Sequence, residues 1–192
     1  MDFSRSLVLA VVLGLPGLAQ ASEWSLEDGS AIRFEAYQQG QPVGGGFDRF
    51  SANITFDPDD LGGARIEVEI DTASVSTGHT DRDTALRSKD LFDVEQWPTA
   101  QFSSTSVEHL GGEDYQATGQ LTIRDVGKEV VLPFTLSIAE HTNDPSLQWA
   151  QVEGGLTIMR LDYGVGQGDW KSTAAVADEV LVKIAIFANA PR

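Results

Sequence analysis

The residues best able to do chemistry in this chain are three bases that lie close together, Arg82, Arg87 and Lys89. The whole sequence of 192 residues has only 13 bases, so this is a local concentration of positive charge. Guanidinium and ammonium groups donate charge-assisted hydrogen bonds to carboxylates and phosphates. The three residues are therefore candidates for holding an anionic head group, and local pairing with neighbouring aspartates is the alternative.

Residue types that serve metal binding and catalysis do not occur in suitable patterns. The histidines, His79, His109 and His141, lack metal-ligand spacing, and the sequence has no cysteine. No Gly-x-Ser-x-Gly nucleophile motif is present, and the glycine-rich segment 164–168 lacks the strand-turn-helix context of a dinucleotide site. We therefore predict a protein that is not an enzyme, with no metal and no cofactor of its own.

Alternation of apolar and polar residues dominates the rest of the chain. Such a period of two is typical of strands with one buried and one solvent-facing side. Many short strands separated by turn residues predict an all-β barrel or sandwich, and the periodicity alone does not choose between them. The predicted strands lie in about eight segments: 24–38, 47–57, 64–71, 99–110, 115–124, 129–139, 147–159 and 178–188.

Several segments interrupt the alternation. Residues 79–88 have no period of two and predict a short helix, with Asp81 as its N-cap and Arg87 in its last turn. Residues 40–46, with three consecutive glycines, predict a loop that bends the chain. The segment 125–128 predicts a turn, and Pro133 must lie at an edge or bulge because it has no amide hydrogen.

The N-terminus predicts export. Residues 1–21 combine a basic residue, a short apolar run and an Ala-Gln-Ala ending, which predicts a signal peptide cleaved after Ala21. The mature part, 22–192, shows no composition break and predicts a single domain. A net charge of −16, from 29 acids and 13 bases, argues against nucleic acid as a partner.

An ordered set of short motifs then resembles one family. The motifs include Gly46-Phe47-Asp48-Arg49-Phe50, Leu86-Arg87-Ser88-Lys89-Asp90-Leu91-Phe92-Asp93, Trp97-Pro98, Arg160-Leu161-Asp162-Tyr163-Gly164 and Ala177-Asp178-Glu179-Val180. Their order and spacing resemble the YceI-like family of exported lipid-binding proteins over nearly the whole chain after Trp24. The family often has a histidine in its first strand and a glycine after Ile-Arg, where this chain has Tyr37-Gln38-Gln39 and Asp125.

The resemblance implies an eight-stranded antiparallel lipocalin-like barrel with one short helix at its mouth. It also implies that apolar side chains line a cavity for a polyisoprenoid, a quinone or a similar long-chain amphiphile. The three bases would lie at the mouth, where a polar head would stay. The predicted ligand-binding residues are Phe34, Phe50, Ile54, Phe56, Val68, Phe102, Leu121, Phe134 and Ile184, with Leu91, Phe92 and Trp97 at the rim.

Two functions follow from this resemblance. The first is a periplasmic carrier that sequesters such a lipid in the barrel. The alternative is a filled barrel that docks onto a membrane b-type cytochrome in a redox or stress-response role. A lipid hydrolase would require a polar triad, which the sequence does not contain. The head group, the tail length and the oligomeric state, including a homodimer, stay open.

Overall fold

The computed structural model describes residues 22–192, and its strands form one antiparallel sheet. The predicted signal peptide, 1–21, lies outside the described residues. One α-helix is present in the described part, α1 (Thr80–Arg87). No helix of residues 22–192 has the length and apolar character needed to span a membrane. The strands are β1 (Ser22–Leu26), β2 (Ala31–Gln38), β3 (Gln41–Phe47), β4 (Phe50–Phe56), β5 (Arg65–Asp71), β6 (Val75–Ser76), β7 (Thr99–Gly111), β8 (Asp114–Ile123), β9 (Val126–Glu140), β10 (Leu147–Met159) and β11 (Val176–Pro191).

The sheet closes into a barrel because β1 pairs with strands on both of its sides. It pairs with β4 and with β11, which completes the ring β1-β4-β5-β7-β8-β9-β10-β11. The antiparallel pair of β1 and β4 is continued along the chain by the pair of β2 and β3. Trp24 lies opposite Ile54 in the first pair, and Ile32 lies opposite Phe47 in the second. The prediction of an eight-stranded antiparallel barrel with one helix is confirmed. A ring of this size has an interior wide enough for one small ligand.

The prediction of a loop over 40–46 was wrong, because the triple glycine lies inside β3. Gly44, Gly45 and Gly46 pair with β2, and the turn is the two-residue connection Gln39-Gly40, where both φ angles are positive. A Cβ at Gly45 would lie 2.4 Å from Cζ of Phe34 and 2.8 Å from the carbonyl oxygen of Ser76. A glycine is therefore needed at position 45 because neighbouring atoms approach the strand closely, and glycine can also adopt the extended backbone of a strand.

Two smaller predictions also needed correction. The β8–β9 turn is Arg124-Asp125 and not 125–128, because Arg124 adopts a positive φ of 57° and Gly127 pairs within the ladder. Asp81 lies in the first turn of α1, whose N-cap is His79 without a side-chain capping bond. The placement of Pro133 agrees with its prediction: it directly precedes Phe134, the first residue of β9 that pairs with β10, so its missing amide hydrogen costs no bond on that side.

The buried apolar residues form two clusters rather than one continuous core. One cluster contains Trp24, Phe56, Tyr115 and Phe134. The ring of Tyr115 contacts the rings of Phe56 and Phe134, at centroid distances of 5.9 and 5.6 Å. The indole nitrogen of Trp24 donates to the carbonyl oxygen of Phe56 over 3.0 Å. The second cluster lies at the α1 end of the barrel and includes Leu91 and Tyr163 with residues of α1.

Trp24 joins the first strand to β4, so its indole hydrogen bond should contribute to stability. We expect Trp24→Phe to lower the free energy of unfolding by about 1–3 kcal/mol, because a buried carbonyl loses its donor. Urea unfolding of the mature protein measures this difference. Tyr37→Phe is the control, since Tyr37 is exposed; equal midpoints for the two variants would contradict the assigned role of Trp24.

Candidate ligand-binding cavity

A cavity of about 310 Å³ occupies the barrel interior between the two apolar clusters. Side chains from most barrel strands and from α1 line it, and all but five of the lining residues are apolar. The five are Arg33, Gln38, Thr77, Arg82 and Arg160. A concave apolar site with few polar groups is the usual form of a small-molecule pocket. The interior can therefore take up an apolar chain.

Most of the residues predicted to bind a ligand line this cavity. The strands position them because every second side chain of each strand points inward. Their contact with a ligand stays a prediction, but their placement around one cavity is a feature of the fold. The lining includes Phe34, Phe50, Ile54, Phe56, Val68, Leu91, Phe92, Phe102, Leu121, Phe134 and Ile184.

Sequence reasoning missed lining residues that belong to the same alternating strands. Val130 and Leu132 precede Phe134 on β9, and Val180 and Val182 precede Ile184 on β11. Each pair has the inward parity of the residue that was predicted. The period of two was therefore a sufficient signal for these residues.

Trp97 does not line the cavity, although it was predicted at the rim. The guanidinium carbon of Arg124 lies 4.3 Å from the centroid of the Trp97 ring, a cation–π contact. Nη1 of Arg124 also donates to the carbonyl oxygens of Leu91, over 2.5 Å, and Gly164, over 2.9 Å. These contacts of Arg124, which we call the Arg124 clamp, hold the segment 91–97 against the barrel end. Trp97 packs on the guanidinium group.

The three predicted head-group bases have different environments. Arg82, on α1, lines the cavity. Arg87 instead donates from Nε to the carbonyl oxygen of Ala73, over 2.8 Å, and from Nη2 to that of Val75, over 2.6 Å. Lys89 is exposed and outside the lining. The structure therefore leaves Arg82 as a head-group candidate, because Arg87 is used to fix the preceding segment and Lys89 does not reach the cavity.

Helix α1 is anchored by a carboxylate in its first turn. Asp83 is buried, and its Oδ1 accepts from the Thr77 hydroxyl over 2.6 Å and from the Thr77 amide over 2.8 Å. The hydrogen bond from the Thr77 hydroxyl is the main cause that lowers the pKa of Asp83 below its ordinary value, and the Thr77 amide and the charges of Arg87 and Arg82 lower it further. The bond holds α1 over the barrel, so that Ala85 and Leu86 face the cavity.

Arg160 is a buried cation in the cavity wall, with 5% of its surface exposed. Its Nε, Nη1 and Nη2 donate to the carbonyl oxygens of Ala177, Val165 and Val176, each over 2.9 Å. Burial, opposed by the charge of Asp178, lowers the pKa of Arg160. This residue fixes the long connection between β10 and β11 at the barrel end, a role that the sequence did not reveal.

The described residues contain no group of three or more His, Cys, Asp or Glu side chains arranged to hold a metal ion. His109 stacks on Tyr115 at a centroid distance of 4.5 Å. His141 lies 3.4 Å from a carboxylate oxygen of Glu27. These two histidines therefore lie in separate structural contacts.

Comparison with known proteins agrees with this geometry. The family model of the YceI-like domain matches residues 24–188. The chain belongs to the YceI-like family. A UPF0312 protein of Pseudomonas paraeruginosa is 33% identical over 168 residues, covering 83% of this chain and 85% of that protein. A UPF0312 protein of Vibrio cholerae is 30% identical over 128 residues, covering 65% of this chain and 68% of the other.

Solved structures show the same YceI-like fold. BcnA of Burkholderia cenocepacia has a TM-score of 0.76 and 32% identity, covering 85% of this chain and 99% of that one. The YCEI protein of Campylobacter jejuni has a TM-score of 0.70 and 29% identity, covering 77% and 84%. A polyisoprenoid binding domain of Saccharophagus degradans shares the fold, with a TM-score of 0.66 and 19% identity, covering 90% and 99%.

The Arg124 clamp can be tested by replacing the guanidinium with an apolar side chain of similar length. We expect Arg124→Met to lower the free energy of unfolding by about 2 kcal/mol or more, because buried carbonyls lose a charged donor. Arg124→Lys should restore little, since an ammonium cannot form the same fork. Amide hydrogen exchange should become faster over residues 91–97.

Arg49→Met is the matched control for this clamp. Arg49 is 65% exposed in its side chain and pairs with Asp71 at the surface, so its loss should cost at most about 1 kcal/mol. Equal effects of the two Met variants in urea unfolding would show that Arg124 is an ordinary surface residue.

The lowered pKa of Asp83 predicts a pH-dependent difference in stability. A carboxylate with a depressed folded pKa stabilises above its unfolded pKa of about 3.9, and the contribution is lost as the pH falls through the folded value. We expect Asp83→Asn to be less stable than the parent protein at pH 7, and the two unfolding curves to converge below about pH 4. Asp81→Asn, on the exposed side of α1, should show no convergence.

Proposed function

We propose that the protein is a non-enzymatic carrier that holds a polyisoprenoid, a quinone or a similar long-chain amphiphile inside the barrel. The main observation in support of this proposal is the interior cavity of about 310 Å³, whose lining is almost entirely apolar. Transfer of each methylene from water into such a lining contributes about 0.8 kcal/mol. The net affinity is smaller, because the chain loses conformational freedom when it binds.

The class of the ligand is suggested by the elongated interior and by a neighbour of the same fold. The lining extends from Trp24 and Phe56, in the first apolar cluster, to Leu91 and Phe92 beside α1. A chain inserted from the α1 end would therefore meet apolar groups beyond the mouth, with Arg33 of β2 as the exception. The polyisoprenoid named for the Saccharophagus degradans domain is a ligand of this kind.

The alternative function is docking onto a membrane b-type cytochrome. That prediction assumed a barrel whose interior is filled and holds no ligand. The hollow interior favours the carrier instead, because a docking module has no need of an apolar cavity. Export to the periplasm with cleavage after Ala21 remains part of the proposal. In that compartment the protein would keep a water-insoluble chain in solution.

Ligand uptake can be tested on the mature protein by native mass spectrometry and solvent extraction. We expect a co-purified adduct of lipid or quinone mass, or saturable uptake of added quinone. The variant Ala52→Phe should reduce uptake at least about tenfold, because Ala52 lines the cavity and a benzyl group there overlaps the site of the chain.

Ser51→Phe is the matched control, since Ser51 is the exposed neighbour of Ala52 on the same strand. It should bind as the parent protein does. A protein that purifies bare and takes up neither quinone nor prenyl lipid would rule out the carrier function, provided that circular dichroism shows it folded.

A further inference from the structure

The charged residues of the cavity wall are all positive. The sequence contains 29 acids and only 13 bases, yet the lining includes three arginines, Arg33, Arg82 and Arg160, and no Asp or Glu from residues 22–192. The other polar lining residues, Gln38 and Thr77, are neutral. A low-dielectric cavity with charges of one sign focuses the field of those charges. The cavity should therefore attract negative charge in an otherwise acidic protein.

Four of these five residues lie at the α1 end. Arg160 directly follows β10 and donates to the carbonyl oxygen of Val176, and Val176 pairs with Gln38 at the end of β2. Arg82 lies on α1 and Thr77 is bonded to the same helix through Asp83. Arg33 is the exception, because it lies within β2 and is exposed.

Helix α1 and the Arg160 loop meet in one apolar cluster. Ala85 and Leu86 of the helix pack in it with Val165, whose carbonyl oxygen accepts from Arg160. The polar groups are therefore gathered at one end, and the opposite end is closed by the aromatic cluster around Tyr115. An amphiphile with its head at the α1 end and its tail towards Tyr115 would match this polarity.

In the described part of the chain, Arg82 and Arg160 make no direct ion pair, although Asp83 and Asp178 lie near enough for their charges to act on them. Among residues 22–192, no carboxylate oxygen lies within 4.0 Å of a guanidinium nitrogen of either arginine. The carbonyl oxygens that accept from Arg160 satisfy hydrogen bonds but carry no net charge. The carboxylate of Asp178, whose charge opposes the effect of burial on the pKa of Arg160, accepts from the Leu161 amide over 2.9 Å.

We propose that the α1 end of the cavity selects an anionic head group, a carboxylate or a phosphate, on a long apolar chain. Arg82 donates hydrogen bonds to the head group at the mouth. Arg160, whose three donor nitrogens are already bonded to carbonyl oxygens, acts through its charge. The inference rests on the proposed carrier function and adds the class of head group to it.

The test compares ligands that share one tail and differ in the head. The probes are hexadecanol, palmitate and hexadecyl phosphate, with affinities measured by displacement of a fluorescent lipid from the mature protein at low ionic strength. We expect both anions to bind at least about tenfold more tightly than the alcohol, which is the effect of one charge-assisted hydrogen bond. The preference should shrink as salt is added. The ratio of palmitate to hexadecyl phosphate affinity distinguishes the two kinds of anion.

Arg82→Gln should lower the affinities for palmitate and hexadecyl phosphate about tenfold more than it lowers the affinity for hexadecanol. Arg49→Gln is the control, because Arg49 is outside the lining and paired with Asp71; it should change none of these affinities. Equal binding of alcohol and anions by the parent protein would overturn the inference and leave the carrier function intact. Failure of all three probes to bind would count against the carrier function itself.

Discussion

The closure of the sheet through β1 is the constraint on which the rest of the structure depends. β1 pairs with β4 and with β11, so the ring has eight strands and a fixed width. At this width, side chains can fill the interior or leave space for one ligand. Here the buried residues gather at the two ends, and the space between them is the cavity. Glycines such as Gly45, where a Cβ would overlap Phe34, allow the interior rings to approach the wall.

The α1 end depends on polar clamps more than on apolar packing. Arg87, Arg124 and Arg160 each donate to two or more backbone carbonyls of the connections that cover this end. Guanidinium groups suit this task, because one side chain presents five donors in a fixed plane. Together with the Asp83–Thr77 bonds, the clamps hold long connections that have little regular structure. The opposite end is closed by aromatic contacts and by the Trp24 indole.

Two kinds of error separate the sequence predictions from the structure. The glycine run in β3 and the turn at Arg124 depend on backbone conformation, and the residue types there permit more than one choice. The head-group bases were chosen by charge and proximity in sequence, which treats Arg82, Arg87 and Lys89 alike. The fold separates them, because side chains two to seven residues apart on and beside a helix point in different directions. Trp97 was misplaced for a similar reason, since its partner Arg124 is distant in sequence.

The sequence by itself determined the strands, their inward faces, the lack of a catalytic motif and the family. These follow from the period of two and from ordered local motifs, and both are properties of neighbouring residues. Only the tertiary structure decided that the ring is hollow, that Arg124 and Arg160 clamp the barrel end, and that no acid of residues 22–192 lines the cavity. Each of these depends on contacts between residues far apart in the chain, such as Arg124 with Leu91 and Gly164. Local periodicity carries no information about such contacts.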